Sequence, residues 1–129
     1  MSFMFFQNSV FDQPLTRFDT SRVTKMDAMF YLAATFNQPL AHFNTSLVTN
    51  MNGMFTGTVA FNQPLAGFDT ARVTDMTNMF AETVAFSQPL ASFDTASVTD
   101  MIRIFARTSA FNGVGLRTWN TARVKNTVG

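Results

Sequence analysis

The stretch Phe36-Asn37-Gln38-Pro39-Leu40 decides how this chain is built, because it returns unchanged at Phe61-Asn62-Gln63-Pro64-Leu65. It returns with one substitution at Phe11-Asp12-Gln13-Pro14-Leu15 and at Phe86-Ser87-Gln88-Pro89-Leu90. The opening phenylalanines Phe11, Phe36, Phe61, Phe86 and Phe111 stand 25 residues apart at every step. A fixed period in the range of roughly 20–50 residues marks a stacked repeat, in which one unit cannot bury its own apolar face but neighbouring copies can. Residues 1–129 therefore read as a single repeat domain of about five 25-residue units, with a partial unit at each end.

Working outward from the phrase, seven columns are apolar almost throughout. Its own Phe and Leu supply two, the second being Leu15, Leu40, Leu65, Leu90 and Leu116. Phe18, Phe43, Phe68, Phe93 and Trp119 form a third, and Val23, Val48, Val73, Val98 and Val124 a fourth. The last three come from Met-x-x-Met-Phe: the files beginning at Met1, Met4 and Phe5. In the final unit Asn112-Gly113-Val114-Gly115 replaces the Asn-Gln-Pro step and adds one residue.

Met26, Met29, Phe30 and Ala33 fall at i, i+3, i+4 and i+7, the period of a short amphipathic helix. Thr24, Thr49, Thr74 and Thr99 precede these segments as candidate N-caps, and Asp75 and Asp100 suit the first turn. Such a helix, about nine residues long, depends on its neighbours for stability. The other half of the unit, as in Leu40-x-x-Phe43-x-Thr45, reads as a short strand. This predicts strands over 17–20, 42–45, 67–70, 92–95 and 118–121, the first four preceded by Pro14, Pro39, Pro64 and Pro89. The expectation is an α/β solenoid: a right-handed stack of strand–turn–short-helix units sharing one parallel β-sheet.

Composition narrows the function classes. The chain is 47% hydrophobic and 13% charged, so it can bury a core. Its net charge of +1 carries no basic tract, which argues against nucleic-acid binding. No apolar run approaches the ~20 residues of a membrane helix. Cysteine is absent, removing disulfides, thiol catalysis, Cys-linked lipid and Cys-based zinc sites.

The pattern Leu-x-x-Phe-Asp-Thr-Ser/Ala-x-Val-Thr-x-Met-x-x-Met-Phe followed by Phe-Asn-Gln-Pro-Leu resembles the 25–26-residue repeat of bacterial surface proteins and mycoplasma-type lipoproteins, related to BspA-like leucine-rich repeats. The resemblance covers Met1 to about Val124. It implies a leucine-rich-repeat-like solenoid, surface adhesion or protein binding, and a cell-surface or secreted location. It brings no catalytic residue and no cofactor.

Candidate sites are few. His42 is the only histidine, and a Ser46–His42–Asp19 arrangement lacks anything that would position a nucleophile or an oxyanion hole. No catalytic, cofactor or metal site is assigned. The file Asp19, Asn44, Asp69, Asp94 and Asn120, with His42, is the candidate partner-binding surface on the exposed sheet face. The competing reading makes each Asp or Asn an Asx turn that ends its strand. Arg22, Arg72 and Arg123 are expected to pair with Asp19, Asp69 and their neighbours. The Asn-Gln pairs read as amide ladders between units, and the threonine file Thr20, Thr45, Thr70, Thr95 and Thr121 is expected to face inward.

The sequence begins in mid-unit and ends where Thr127 replaces the expected Met, so neither end carries a recognisable polar cap. These readings predict a non-enzymatic module that binds a protein or glycan partner. The alternative is a structural protein that self-associates through its uncapped ends into homo-oligomers.

Overall fold

The computed structural model describes residues 1–126 and forms a stack of five coils: 1–25, 26–50, 51–75, 76–100 and 101–126. The expected lapse of the repeat at Thr127 lies outside the described residues. The period is as the sequence predicts, but the unit is not. Among the described residues the one helix is a 3-10 turn at Leu116–Thr118, and strand pairing is confined to isolated parallel bridges. These bridges join Lys25 to Asn50, Asn50 to Asp75, Asp75 to Asp100 and Asp100 to Asn126, one per step. The expected α/β solenoid, its parallel sheet, the strands at 17–20, 42–45, 67–70, 92–95 and 118–121 and the capped Met-x-x-Met-Phe helices do not form among the described residues; tight turns joined by short irregular stretches stand in their place.

The turns explain why the periodicity misleads. Met29 N–H donates to the Met26 carbonyl, and Ala33 N–H to that of Phe30. Phe36 closes on Ala33, Phe43 on Leu40 and Val48 on Thr45 in the same way. The apolar files thus stand at the two ends of four-residue turns and point inward, while the two middle residues bulge outward. Turns closing at 26/29 and 30/33 reproduce the i, i+3, i+4, i+7 spacing of a helix. Ala28 (φ 49°) and Leu32 (φ 56°) occupy the third position of these turns with positive φ, as type II turns require.

That sign alternation redirects the backbone. The N–H groups of Ala28, Phe30 and Leu32 donate to the carbonyls of Asn52, Met54 and Thr56 in the next coil, at 2.8–2.9 Å. Alternate N–H groups therefore close local turns, and the rest join coils. A nine-residue helix would leave four N–H and four C=O groups unpaired at its ends. The alternating turn satisfies them against the neighbouring copy and so prevails.

Where backbone pairing lapses, side chains take over. Thr95 Oγ1 donates to the Asn120 carbonyl at 3.0 Å and accepts from the Asn120 N–H at 2.8 Å. Thr45 and Thr70 donate likewise to the Asp69 and Asp94 carbonyls. Thr20, Thr45, Thr70 and Thr95 are buried, as the expected inward file requires, whereas Thr121 in the last coil is exposed. The amide ladder is present too: Asn37 Oδ1 accepts from the Asn62 N–H at 2.9 Å and from Gln63 Nε2 at 3.1 Å. Among the described residues no buried side-chain nitrogen or oxygen lacks a partner.

The core is two interleaved files of phenylalanine. Phe5, Phe30, Phe55, Phe80 and Phe105 stack at 5.5–5.8 Å between centroids. Phe11, Phe36, Phe61, Phe86 and Phe111 stack at 5.8–6.1 Å. Within a coil the two files touch, as in Phe55–Phe61 at 4.3 Å. These separations lie at or near the range in which offset rings contribute about 0.5–1.5 kcal/mol beyond burial. The predicted columns are buried in the central coils, including Phe68 and Met79, whereas Met4 in the first coil is exposed. The insertion in the last coil relies on Gly115 (φ 93°), where a Cβ would lie 2.4 Å from the Ala91 nitrogen.

Two measurements check this architecture. Phe55→Ala should cost about 3–5 kcal/mol in chemical denaturation, and the same change at half-exposed Phe5 clearly less; equal losses would contradict a stack. Arg103 is exposed with φ 52°, so its backbone alone decides the effect of glycine. Arg103→Gly should stabilise by about 0.5–1 kcal/mol as a left-handed residue is relieved, whereas a helical position would lose a comparable amount.

Candidate functional site

The sequence-predicted residues occupy corners of the coils, and the described residues form no sheet face for them to line. Asp19, Asn44, Asp69, Asp94 and Asn120 are exposed. The Oδ1 of each accepts the N–H two residues on: Ser21, Ser46, Ala71, Ala96 and Ala122, at 2.9–3.1 Å. These are Asx turns. The Ser21 hydroxyl and then its N–H hold the Asp19 carboxyl below its ordinary value. His42 Nε2–H donates to the Leu15 carbonyl at 2.7 Å, and its ring meets Phe43 edge-on. The Ser46 hydroxyl donates to Asn44 Oδ1 at 2.7 Å. Ser46, His42 and Asp19 are thus engaged separately and do not assemble. The expected pairing of Arg22, Arg72 and Arg123 with the acidic file is also missing, since the one ion pair among the described residues joins Arg107 to Glu82 at 3.1 Å.

A concave site lies elsewhere, on the outward side of the Met-x-x-Met-Phe turns. Two adjoining hollows, about 370 and 450 Å³, share Tyr31, Thr56 and Asn78 in their linings and together form a trough from coil 1 to coil 5. The outward turn positions make it. One file runs Phe6, Tyr31, Thr56, Ala81, Ala106, and another Phe3, Ala28, Gly53, Asn78, Arg103. Both files pass from aromatic to small within two coils, so the surface steps down.

Phe6 stacks on Tyr31 at 5.0 Å and 13°, and Phe3 meets Phe6 edge-on at 5.5 Å. Phe3 is 56% exposed and Phe6 40%. Phe6 covers one face of Tyr31, and on the other side the next coil supplies Thr56 and Gly53 in place of a ring. A Cβ on Gly53 would lie 3.7 Å from Tyr31 Cδ2, so the glycine forms the floor beneath the wall. Its φ of 59° suits glycine at this turn position.

The polar groups divide into two sets. Asn52 Nδ2 donates to Asp75 Oδ2 at 3.2 Å, Thr56 Oγ1 to the Asn78 carbonyl at 2.6 Å, and Ser2 Oγ to Asp27 Oδ1. The Asn78 amide, the Tyr31 hydroxyl, the Asn50 Nδ2 and the Arg103 guanidinium make no hydrogen bond among the described residues. Those four remain able to meet a ligand. Column reading passed over all of them because it weighed the inward positions. The legible signal was variation: the outward turn files change from Phe to Gly to Arg while the core files hold constant.

Matches to the family described as "Mycoplasma protein of unknown function, DUF285" cover residues 1–83 and again 64–129. The chain therefore belongs to this Mycoplasma repeat family of unknown function. The narrower likeness to BspA-like leucine-rich repeats has no support in that match, and the coils lack the strand such a repeat would stack. No curated protein and no solved structure matches the chain.

The Asx geometry sets a test for the corner file. Asp69→Asn should leave thermal stability unchanged, since Asn44 and Asn120 make the same turn in other coils. Asp69→Ala should cost about 0.5–1.5 kcal/mol through loss of the acceptor. Equal effects from both substitutions would mean the turn does not depend on this oxygen.

Proposed function

We propose that the chain is a non-enzymatic binding module and that the trough over coils 1–5 receives a glycan. The observation that carries this reading is the Tyr31 wall beside a glycine floor, with uncommitted amide and hydroxyl groups within the same hollow. A pyranose presents an apolar C–H face and a rim of hydroxyls. An aromatic face suits the first, and amides that both donate and accept suit the second. Pockets lined by apolar surface with a few convergent polar groups are the usual form of a small-ligand site.

A peptide partner fits less well. Extended peptides recognised through their main chain need an open backbone edge. Along the trough floor the N–H groups of Ala28, Gly53 and Asn78 already donate to the carbonyls of Asn52, Thr77 and Ile102 at 2.8 Å. What remains open is side-chain chemistry, which suits a ring-shaped polar ligand.

Binding to an immobilised panel of oligosaccharides, followed by calorimetry on any hit, tests the proposal. Tyr31→Ala should weaken a hit by about tenfold or more, corresponding to roughly 1.4 kcal/mol, and Asn78→Ala should weaken it by a similar factor. Asp69→Asn, on a corner outside the trough lining, should leave it unchanged. A glycan bound equally by wild type and Tyr31→Ala would remove the trough as the site.

A further inference from the structure

We infer that the trough has a fixed polarity and takes an acidic saccharide, its carboxylate lying toward coil 5 against Arg103. This deepens the glycan reading above and rests on it. The two ends of the trough differ in charge. At the coil 1–2 end the charged lining group is Asp27, which accepts from Ser2 Oγ and would repel an anion. At the coil 4–5 end the lining carries Arg103, Arg107 and Glu82. Arg107 and Glu82 neutralise each other through their 3.1 Å ion pair. Arg103 keeps an uncompensated charge beside Asn78 and Tyr31 in the same hollow. Asp75, which is in neither lining, accepts from Asn52 Nδ2 at one carboxylate oxygen and from the Thr77 N–H at the other.

Position adds to charge. Arg103 follows Asn78 in one outward file, a single coil step along the stack. From Tyr31 to Arg103 is three coil steps, about 14 Å at the roughly 4.8 Å inter-strand spacing that hydrogen-bonded neighbours keep. A short oligosaccharide spans that distance, with a sugar ring against Tyr31, hydroxyls at Asn78 and an acid group at Arg103. The guanidinium fork matches a carboxylate in a bidentate pair, which an ammonium cannot reproduce. Two cations, one of them paired, are too few for the phosphate tracking that nucleic-acid affinity requires.

A uronate-containing tetrasaccharide and its carboxyl-reduced counterpart, titrated calorimetrically at low and physiological salt, separate the possibilities. Wild type should bind the uronate about three- to tenfold more tightly than the reduced form, with the gap narrowing as salt screens an exposed pair. Arg103→Gln should bind both forms equally, and Arg103→Lys should restore part of the preference. Because Arg103 is exposed, its variants can be verified as folded by thermal unfolding. Equal binding of both forms by wild type, still lost in Tyr31→Ala, would overturn the acid preference and leave the glycan site standing. Binding of neither form by wild type, alongside a Tyr31-dependent hit on a neutral sugar, would also overturn it. Absence of any glycan binding would remove both readings together.

Discussion

The structure depends on one division of the backbone: alternate N–H groups in the Met-x-x-Met-Phe segment close turns within a coil, and the others bond to the next coil. Positive φ at the third turn position makes the division possible. A continuous helix would aim every N–H along its own axis and leave neighbouring coils joined only by side chains. A continuous strand would aim the N–H groups sideways but could not curl tightly enough to bring Met26, Met29, Phe30 and Ala33 to one side. The alternating turn does both, giving a short segment a closed core and saturated hydrogen bonding.

This arrangement makes the coils mutually dependent. Each inner coil takes part of its backbone pairing, its aromatic stacking and its amide contacts from the coil on either side. The buried threonines extend the same logic: a hydroxyl that donates and accepts, as Thr95 does toward Asn120, stands in for a missing pair of ladder bonds. Stability is accordingly distributed along the stack.

The same geometry separates structure from potential function. Turn ends point inward and must repeat, because each packs on its own copy one coil away. Turn middles point outward and are free to vary. The trough is built from that variation: rings at Phe6 and Tyr31, then Thr56 and Ala81, with Gly53 lowering the floor and Arg103 closing the far end. The proposed glycan site follows from side-chain choices on a scaffold whose backbone does not change. The Asp and Asn corner file, by contrast, recurs because each coil needs the same Asx turn.

The sequence by itself determined the 25-residue period, the inward columns, the inward threonine file up to Thr95 and the amide ladder, since each follows from like residues returning at identical spacing. It could not determine the secondary structure of the unit. Apolar residues three and four apart are produced equally by a helix and by successive four-residue turns, and the choice rests on where the backbone N–H groups find partners. Those partners lie a full coil away, so only the tertiary structure decided between them. It also decided that outward turn positions widely separated in sequence, such as Tyr31, Asn78 and Arg103, meet along one trough. Their adjacency comes from stacking, which no local spacing in the chain expresses.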